Sequence, residues 1–267
     1  MFLIRQGVFL GFVLLSFVSA FAQQGSLSSD GQLAATSARG HLLYEYDEAV
    51  WHASDAVIAT HPAKENLGRY IARKTDAGWE VAFGRINEGH DAFLIAALAT
   101  QGKTPLDFSV QKFETLQRDT GFYLSAAKGI ENTLKIFQGV DRQYNVAVLP
   151  APENQFYIYF VPAPTDKALY PLGADARYLV SADGGTIIEK RQLHKGIIPD
   201  GGPIPAGATI AAGTHSHILS DVPEDTDVFH VLARRPAIPE YIATEIAIYE
   251  VEVDGTIKVV QRIKKHR

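Results

Sequence analysis

The sequence lacks cysteine altogether, and this absence excludes several kinds of site. Without a thiol the chain can form no disulfide bond, no cysteine nucleophile and no thiolate-bound zinc. The phosphate-binding loop, the dinucleotide-binding glycine pattern, the Gly-x-Ser-x-Gly elbow and the His-Glu-x-x-His motif are missing as well. If the chain is exported, its fold must therefore be stabilised by core packing or by a metal ion.

A strong excess of positive charge is also lacking. The chain carries 30 acidic and 25 basic side chains, which gives a formal net charge of -5 at pH 7. The one basic run is the C-terminal tail with Arg262, Lys264, Lys265 and Arg267. Solvation of a chain end explains this run better than a binding patch does. We therefore expect no nucleic-acid partner.

Only one long apolar run occurs, and it lies near the N-terminus. Arg5 precedes an apolar stretch over residues 8–20, and the small residues Ala20 and Ala22 flank Phe21. This pattern is typical of a secretory signal peptide cleaved before Gln23, and the run is shorter than the roughly 20 residues of a spanning helix. We therefore predict a signal peptide over residues 1–22, no stable membrane anchor after cleavage, and a periplasmic or secreted mature protein. The alternative is a retained anchor.

The composition of the rest is that of a globular chain, with 46% hydrophobic and 21% charged residues. Residues 23–41 are rich in Gly, Ser, Ala and Gln, and we predict a flexible leader there. Residues 42–140 carry no motif, and we expect an N-terminal α+β region of unknown role. Residues 141–267 are predicted to form a second α+β domain.

The apolar patterning predicts an α+β fold with helices packed on a largely antiparallel mixed sheet. Helical periodicity covers residues 42–71 and 115–137. Strand patterns between turn residues cover 79–86, 92–97 and 106–113, and three hairpins are predicted within 144–161, 177–192 and 246–262. A strand over 209–217 is followed by a helix over 226–234 and a strand over 240–244.

A candidate metal site follows from the spacing of two histidines. His215 and His217 lie two apart on a predicted strand, so their side chains share one face. Asp227 falls in the first turn of the next helix and can complete a three-ligand metal site with an open position for water. His230, near the same helical face, could substitute or assist. His194, on the preceding hairpin strand, is interpreted as a surface or interface histidine.

The segment from His215-Ser216-His217 to Asp227, with the helix, strand and hairpin that follow, resembles the JAB/MPN (JAMM) metallopeptidase family. The resemblance covers roughly residues 151–263 and implies a JAB/MPN-like C-terminal domain. In that family two histidines and an aspartate hold zinc, and a glutamate from an earlier strand is the general base. By this resemblance the base is Glu153, with Glu189 as the alternative.

The chain departs from the family pattern at specific positions. Ile218 stands where the family usually has proline, and the spacing from His217 to the aspartate differs by one residue. Glu224 stands where a serine is expected to stabilise the reaction intermediate, which leaves Ser220 and Thr226 as candidate replacements.

Two functions remain open from the sequence. The first is an exported zinc-dependent hydrolase of peptide or isopeptide bonds, with a peptide or protein substrate such as cell-wall peptide. The second is a non-catalytic exported binding or structural domain with a degenerate metal site, which the departures from the family pattern favour.

Overall fold

The fold is known from a computed structural model that describes residues 29–164, 171–198 and 207–264. These residues contain three α-helices, α1 (Ser29–Ala59), α2 (Phe122–Leu134) and α3 (Asp225–Ala233). The fourteen strands among them are β1 (Arg69–Thr75), β2 (Gly78–Ile86), β3 (Phe93–Gln101), β4 (Phe108–Asp119), β5 (Tyr144–Pro150), β6 (Phe156–Pro162), β7 (Leu172–Gly173), β8 (Ala176–Val180), β9 (Ile187–Gln192), β10 (Ile197–Ile198), β11 (Gly213–Ser216), β12 (Glu240–Ala243), β13 (Ala247–Val251) and β14 (Ile257–Arg262). The predicted α+β class is confirmed.

The strands form three four-stranded sheets and one small ribbon. The first sheet has the order β1-β2-β3-β4, the second β5-β6-β8-β9 and the third β11-β12-β13-β14, while β7 pairs with β10. Every pairing is antiparallel except that of β11 with β12, which is parallel. The sheets are therefore largely antiparallel, and the three predicted hairpins are confirmed as β5-β6, β8-β9 and β13-β14.

Helices α1 and α2 pack on opposite faces of the first two sheets. In β1, the neighbours Ile71 and Ala72 point to opposite faces, with Ala72 in the core around α1 and Ile71 in the core around α2. In β5, Leu149 and Val148 divide in the same way. Both cores contain residues from either side of residue 140, where the sequence predicts a boundary between two regions.

Helix α3 lies between the second and third sheets and is buried on nearly all sides. Its Phe229 packs in the core around α1, whereas Val228 and Val231 pack against the third sheet together with Leu33 of α1. Gly40 permits the close crossing of α1 and α3, because a Cβ atom there would lie 2.4 Å from Cβ of Val228. The polar residues of α3 must therefore find partners inside the protein.

The N-terminal prediction of a flexible leader is wrong from Ser29 onward, because α1 begins at that residue. Leu33, Thr36 and Gly40 are buried in this part of the helix. Two of these three side chains are small or absent, so the buried face shows little hydrophobic periodicity in the sequence. Residues 23–28 and the predicted signal peptide lie outside the described residues. Among the described helices, none has the length and apolar character required to cross a membrane.

Two predicted helices have different bounds in the structure. Helix α1 ends at Ala59, before Pro62, and His61 adopts a left-handed φ of 51°, so Tyr70 and Ile71 belong to β1 rather than to a helix. Residues 115–119 belong to β4. Helix α2 starts only at Phe122, after Asp119 Oδ1 has accepted backbone N–H bonds from Gly121 and Leu124, each at 3.1 Å.

Candidate metal centre

Four side chains from separate elements converge beside the first turn of α3. His194 follows β9, His215 lies in β11, His217 follows β11, and Asp227 lies in α3. All four are buried, with side-chain exposures between 0 and 5%. One potential ligand atom from each lies within 4.8 Å of those of the other three. This group could hold a metal ion.

The distances within the group approach those of a tetrahedral site. Nε2 of His217 lies 3.0 Å from Nε2 of His194 and 3.1 Å from Nε2 of His215. Asp227 Oδ1 lies 3.1 Å from His194 Nε2 and 3.2 Å from His215 Nε2, and Asp227 Oδ2 lies 3.2 Å from His217 Nε2. Ligands about 2.0–2.1 Å from a tetrahedral zinc ion lie about 3.3–3.4 Å apart. These five distances are therefore slightly shorter than the separations between ligands of a tetrahedral zinc ion.

Each imidazole is oriented by a hydrogen bond from the ring nitrogen that faces away from the centre. Nδ1 of His194 contacts Asp175 Oδ1 at 2.8 Å, Nδ1 of His215 contacts Glu240 Oε1 at 2.9 Å, and Nδ1 of His217 contacts the Val222 carbonyl at 3.1 Å. Because carboxylates and carbonyls only accept hydrogen bonds, each Nδ1 carries the proton and donates it. The three Nε2 lone pairs therefore point inward, as in histidine ligands held by an outer layer of acceptors.

The four side chains direct electron-rich atoms at one another unless a positive charge lies between them. When the three imidazoles are neutral, their inward lone pairs meet the buried carboxylate of Asp227, whose Oδ1 lies 3.1 Å from Nε2 of His194 and 3.2 Å from Nε2 of His215 with no N–H between them. The other oxygen of Asp227 accepts the backbone N–H of Glu224 at 2.6 Å. Burying such a set of acceptors is costly, and a divalent cation would satisfy all four at once. The residues present therefore fit a metal ion.

Protons compete with a cation for this centre. Burial acts to lower the pKa of His194, but the carboxylates of Asp175 and Asp227 outweigh burial and raise it to about 11. Burial likewise opposes charge on His215, yet hydrogen bonds to Asp227 and Glu240 raise its pKa to about 9. Metal binding therefore has to displace protons from the histidines at neutral pH.

The structure brings together the three predicted ligands and adds a fourth residue, His194. His215, His217 and Asp227 meet as predicted. The prediction that His194 is a surface or interface histidine is wrong, because this residue is only 5% exposed and lies in the group. The pairing of His194 with Asp175 joins the segment after β9 to the residue before β8, and the spacing of these residues in the sequence gives no indication of it.

The remaining predicted residues of α3 and its preceding loop have other contacts. His230 is buried but is not one of the four converging residues, and its Nε2 lies 3.3 Å from Arg234 Nη1. Ser220 Oγ donates to the Val222 carbonyl at 2.7 Å, the same carbonyl that receives the His217 bond. Ser220 therefore orders the loop that holds His217.

The two candidate general bases are exposed, and neither is one of the four converging residues. Glu153 lies in the turn between β5 and β6 with φ 59° and ψ 32°. Glu189 lies in β9 opposite Leu179. At the family's serine position, Glu224 accepts the backbone N–H of Asp227 in a capping box and pairs with Arg191 Nη2 at 2.6 Å. This position therefore stabilises the start of α3.

A second buried carboxylate, Asp225, lies two residues from Asp227. Its Oδ1 is 2.8 Å from Arg39 Nη2, and its Oδ2 accepts a hydrogen bond from Tyr159 Oη at 2.8 Å and pairs with Arg177. Burial and the Asp225 charge together raise the pKa of Tyr159 well above its ordinary value. This network joins α1, β6 and β8 to the first turn of α3.

The comparisons with known proteins give no relative: no family model matches the chain, and no curated protein or solved structure matches it. The case for a function therefore depends on the geometry of the centre.

Proposed function

We propose that the chain is a metal-binding protein whose three-histidine, one-aspartate centre holds zinc as a structural ion. The observation that carries this proposal is that four candidate protein ligands surround the centre and none of their side chains is more than 5% exposed. Structural zinc sites have four protein ligands, whereas catalytic sites have three and a water molecule. Imidazole and carboxylate ligands in a near-tetrahedral arrangement suit zinc among the divalent ions.

The position of the centre supports a stabilising role. His194 comes from the second sheet, His215 and His217 from the third sheet and its following loop, and Asp227 from the helix between them. A bound ion would cross-link segments that are far apart in the sequence. In a chain without cysteine, such an ion would stabilise the fold as disulfides do in other exported proteins.

This proposal favours the non-catalytic alternative, an exported structural or binding domain. Export itself is proposed from residues 1–22, whose charged and apolar pattern supports a signal peptide.

A zinc-dependent hydrolase of peptide or isopeptide bonds is the second candidate. The observation that favours it is local: His215, His217 and Asp227 occupy a strand, its end and the next helix, in the order of the JAB/MPN family. Catalysis would require a water molecule to replace His194. That residue is held by Asp175 through its backbone N–H at 3.0 Å and through Nδ1 at 2.8 Å. For this reason we place the hydrolase, with its peptide or cell-wall peptide substrate, second.

Elemental analysis and thermal unfolding of residues 23–267 test the first proposal. We expect about one zinc ion per chain, and a metal-dependent increase in the melting temperature that His217→Ala abolishes. His52→Ala, at a partly exposed position of α1, is the matched control and should keep both properties. A protein that binds no zinc at neutral pH would overturn the proposal.

Peptide hydrolysis separates the two candidates. A structural ion predicts no hydrolysis of a peptide panel by the zinc-loaded protein, and unchanged zinc content in Glu153→Gln and Glu189→Gln. Hydrolysis that disappears in one of these two variants while zinc is retained would instead establish the hydrolase.

A further inference from the structure

The carboxylate that orients His215 is itself held by an arginine. Glu240 Oε1 contacts Nδ1 of His215 at 2.9 Å, and Glu240 Oε2 lies 2.9 Å from Nη1 of Arg234. The side chains of Glu240 and Arg234 are only 4% and 14% exposed. The carboxylate therefore connects the imidazole to a largely buried guanidinium group.

Arg234 caps the C-terminal end of α3, the helix whose first turn contains Asp227. Its Nη2 donates to the carbonyls of Ile238 and Pro239 at 2.8 and 2.9 Å, immediately before β12 begins at Glu240. One guanidinium group thus holds both the carboxylate of Glu240 and the backbone that precedes it. Because the N–H groups of arginine form a rigid planar fork, these contacts restrict the position and the direction of the carboxylate.

Gly213 leaves the space that this ion pair occupies. A Cβ atom at Gly213, the first residue of β11, would lie 1.8 Å from Oε2 of Glu240 and 2.8 Å from Nη1 of Arg234. In the parallel pairing of β11 with β12, Gly213 lies opposite Glu240. The strand that carries His215 therefore begins with the one residue type that admits the ion pair.

His230 contacts Arg234 from one turn earlier in α3. Its Nε2 lies 3.3 Å from Nη1 of Arg234, and because a guanidinium group can only donate, this nitrogen accepts the bond. The His230 side chain is buried. Its Nε2 is therefore directed at Arg234, and this histidine supports the arginine.

We propose that Arg234 is a positioning residue of the metal centre, which acts through Glu240 to fix the ring of His215. Helix α3 then contributes to the centre from both ends, with Asp227 as a ligand in its first turn and Arg234 as an indirect contact at its C-terminal end. The inference rests on the proposed metal binding. It assigns a role in that binding to a side chain that, as a permanent cation, cannot itself be a ligand.

Zinc affinity, measured by competition with a chromogenic chelator, tests this role. Arg234→Gln removes the charge and the fork of N–H groups, and we expect the zinc affinity to fall about 10- to 100-fold, as it does when other outer partners of a ligand are lost. Arg234→Lys keeps a charge beside Glu240 and should recover part of this loss. Arg235→Gln is the matched control, because Nη1 of Arg235 donates to the carbonyls of residues 232–234 at the same helix end. This variant should keep the parent affinity.

A double-mutant cycle separates action through Glu240 from general support of the helix end. In Glu240→Gln the charge that Arg234 pairs with is absent, so the addition of Arg234→Gln should lower the zinc affinity by no more than about twofold further. If the two substitutions act independently, so that their effects on affinity multiply, Arg234 does not act through Glu240 and the proposal is wrong. An unchanged affinity in Arg234→Gln would overturn it as well.

A measurement without metal keeps this test apart from that of the proposed function. In chelator-treated protein, NMR follows the exchange of the His215 Nδ1–H with water, which the contact with Glu240 slows. We expect faster exchange in Arg234→Gln and parent-like exchange in Arg235→Gln, and equal exchange in all three proteins would contradict the positioning role alone. A parent protein that binds no zinc would instead overturn the proposed function, and this role with it.

Discussion

Two aspartates in the first turn of α3 differ sharply in how their charge is balanced. Asp225 and Asp227 are both fully buried and lie two residues apart. Asp225 is surrounded by two guanidinium groups and a phenol that donate to it, whereas Asp227 faces three imidazoles whose lone pairs point at the same centre. The first carboxylate is neutralised by the protein, and the second is suited to a cation from outside the chain.

This contrast shows why burial alone does not identify a metal ligand. Burial acts to raise the pKa of the Asp227 carboxyl, but the neighbouring histidines lower it well below its usual range when they carry protons. The positive charge that balances the Asp227 carboxylate can be supplied by protons on the histidines or by a metal ion. Which of them is present at neutral pH is therefore a matter of competition, and substitutions at the two aspartates should have different consequences.

The largest effect that distinguishes the two sites is expected for Asp225→Asn. Removing this charge leaves Arg177, whose side chain is 8% exposed, without its buried counter-ion, which typically costs about 3–5 kcal/mol of unfolding free energy. Zinc content should remain near the parent level. Denaturant unfolding and elemental analysis measure both quantities, and Asp55→Asn on the exposed side of α1 is the control for loss of one negative charge. If Asp225→Asn also lost its zinc, the ion-pair network of Asp225 and the metal centre would not be separable.

A smaller effect is expected at the residue that orients His215. Glu240→Gln weakens the hydrogen bond from Nδ1 of His215, and loss of such a partner usually lowers metal affinity about 10- to 100-fold. Competition with a chromogenic chelator measures the affinity. Glu250→Gln in β13, whose carboxylate accepts a bond from Tyr241, is the matched control. Unchanged zinc affinity in Glu240→Gln would contradict the assigned role of this contact.

The smallest effect is a pH dependence that distinguishes zinc-loaded from chelator-treated protein. In the chelator-treated, zinc-free protein the pKa values of His215 and His194 are raised to about 9 and about 11. Protons on these histidines stabilise the fold fully when the pH is below about 6.5, the pKa of histidine in the unfolded chain. This stability is lost as the pH rises through about 9. A loss of about 1 kcal/mol lowers the melting temperature by about 2–4 °C in a protein of this size.

Zinc-loaded protein should show the opposite trend over this range, because deprotonated histidines bind zinc more tightly. Parallel melting curves between about pH 6.5 and about pH 9 provide the test. Curves that shift equally with and without zinc would contradict competition between protons and metal.

Much of the fold follows from local sequence patterns. The α+β class, the three hairpins and the short helix α3 are confirmed because their turn residues and apolar periodicity are local signals. The sequence does not indicate the N-terminal half of α1, because this part of the helix packs through Gly40 and Thr36 as well as Leu33 and so has no hydrophobic stripe. The end of α1 was placed too late because the apolar residues of β1 continue the helical spacing beyond Pro62.

The candidate centre was only partly accessible from the sequence. His215, His217 and Asp227 lie within one strand-loop-helix unit, so their convergence follows from spacing. His194 and its partner Asp175 flank β9 and β8 of a different sheet, and only the packing of that region against α3 brings His194 to the same place. With His194 as a fourth candidate ligand, the predicted open three-ligand site becomes a candidate closed four-ligand site, which moves the proposed role from catalysis to stabilisation.

X-ray absorption spectroscopy of the zinc-loaded protein at neutral pH tests the central claim most directly. The account predicts four nitrogen and oxygen ligands at about 2.0–2.1 Å, with imidazole scattering from three histidines that falls to two in His194→Ala. A parent spectrum with two imidazoles and a water ligand, unchanged by His194→Ala, would contradict a closed structural centre.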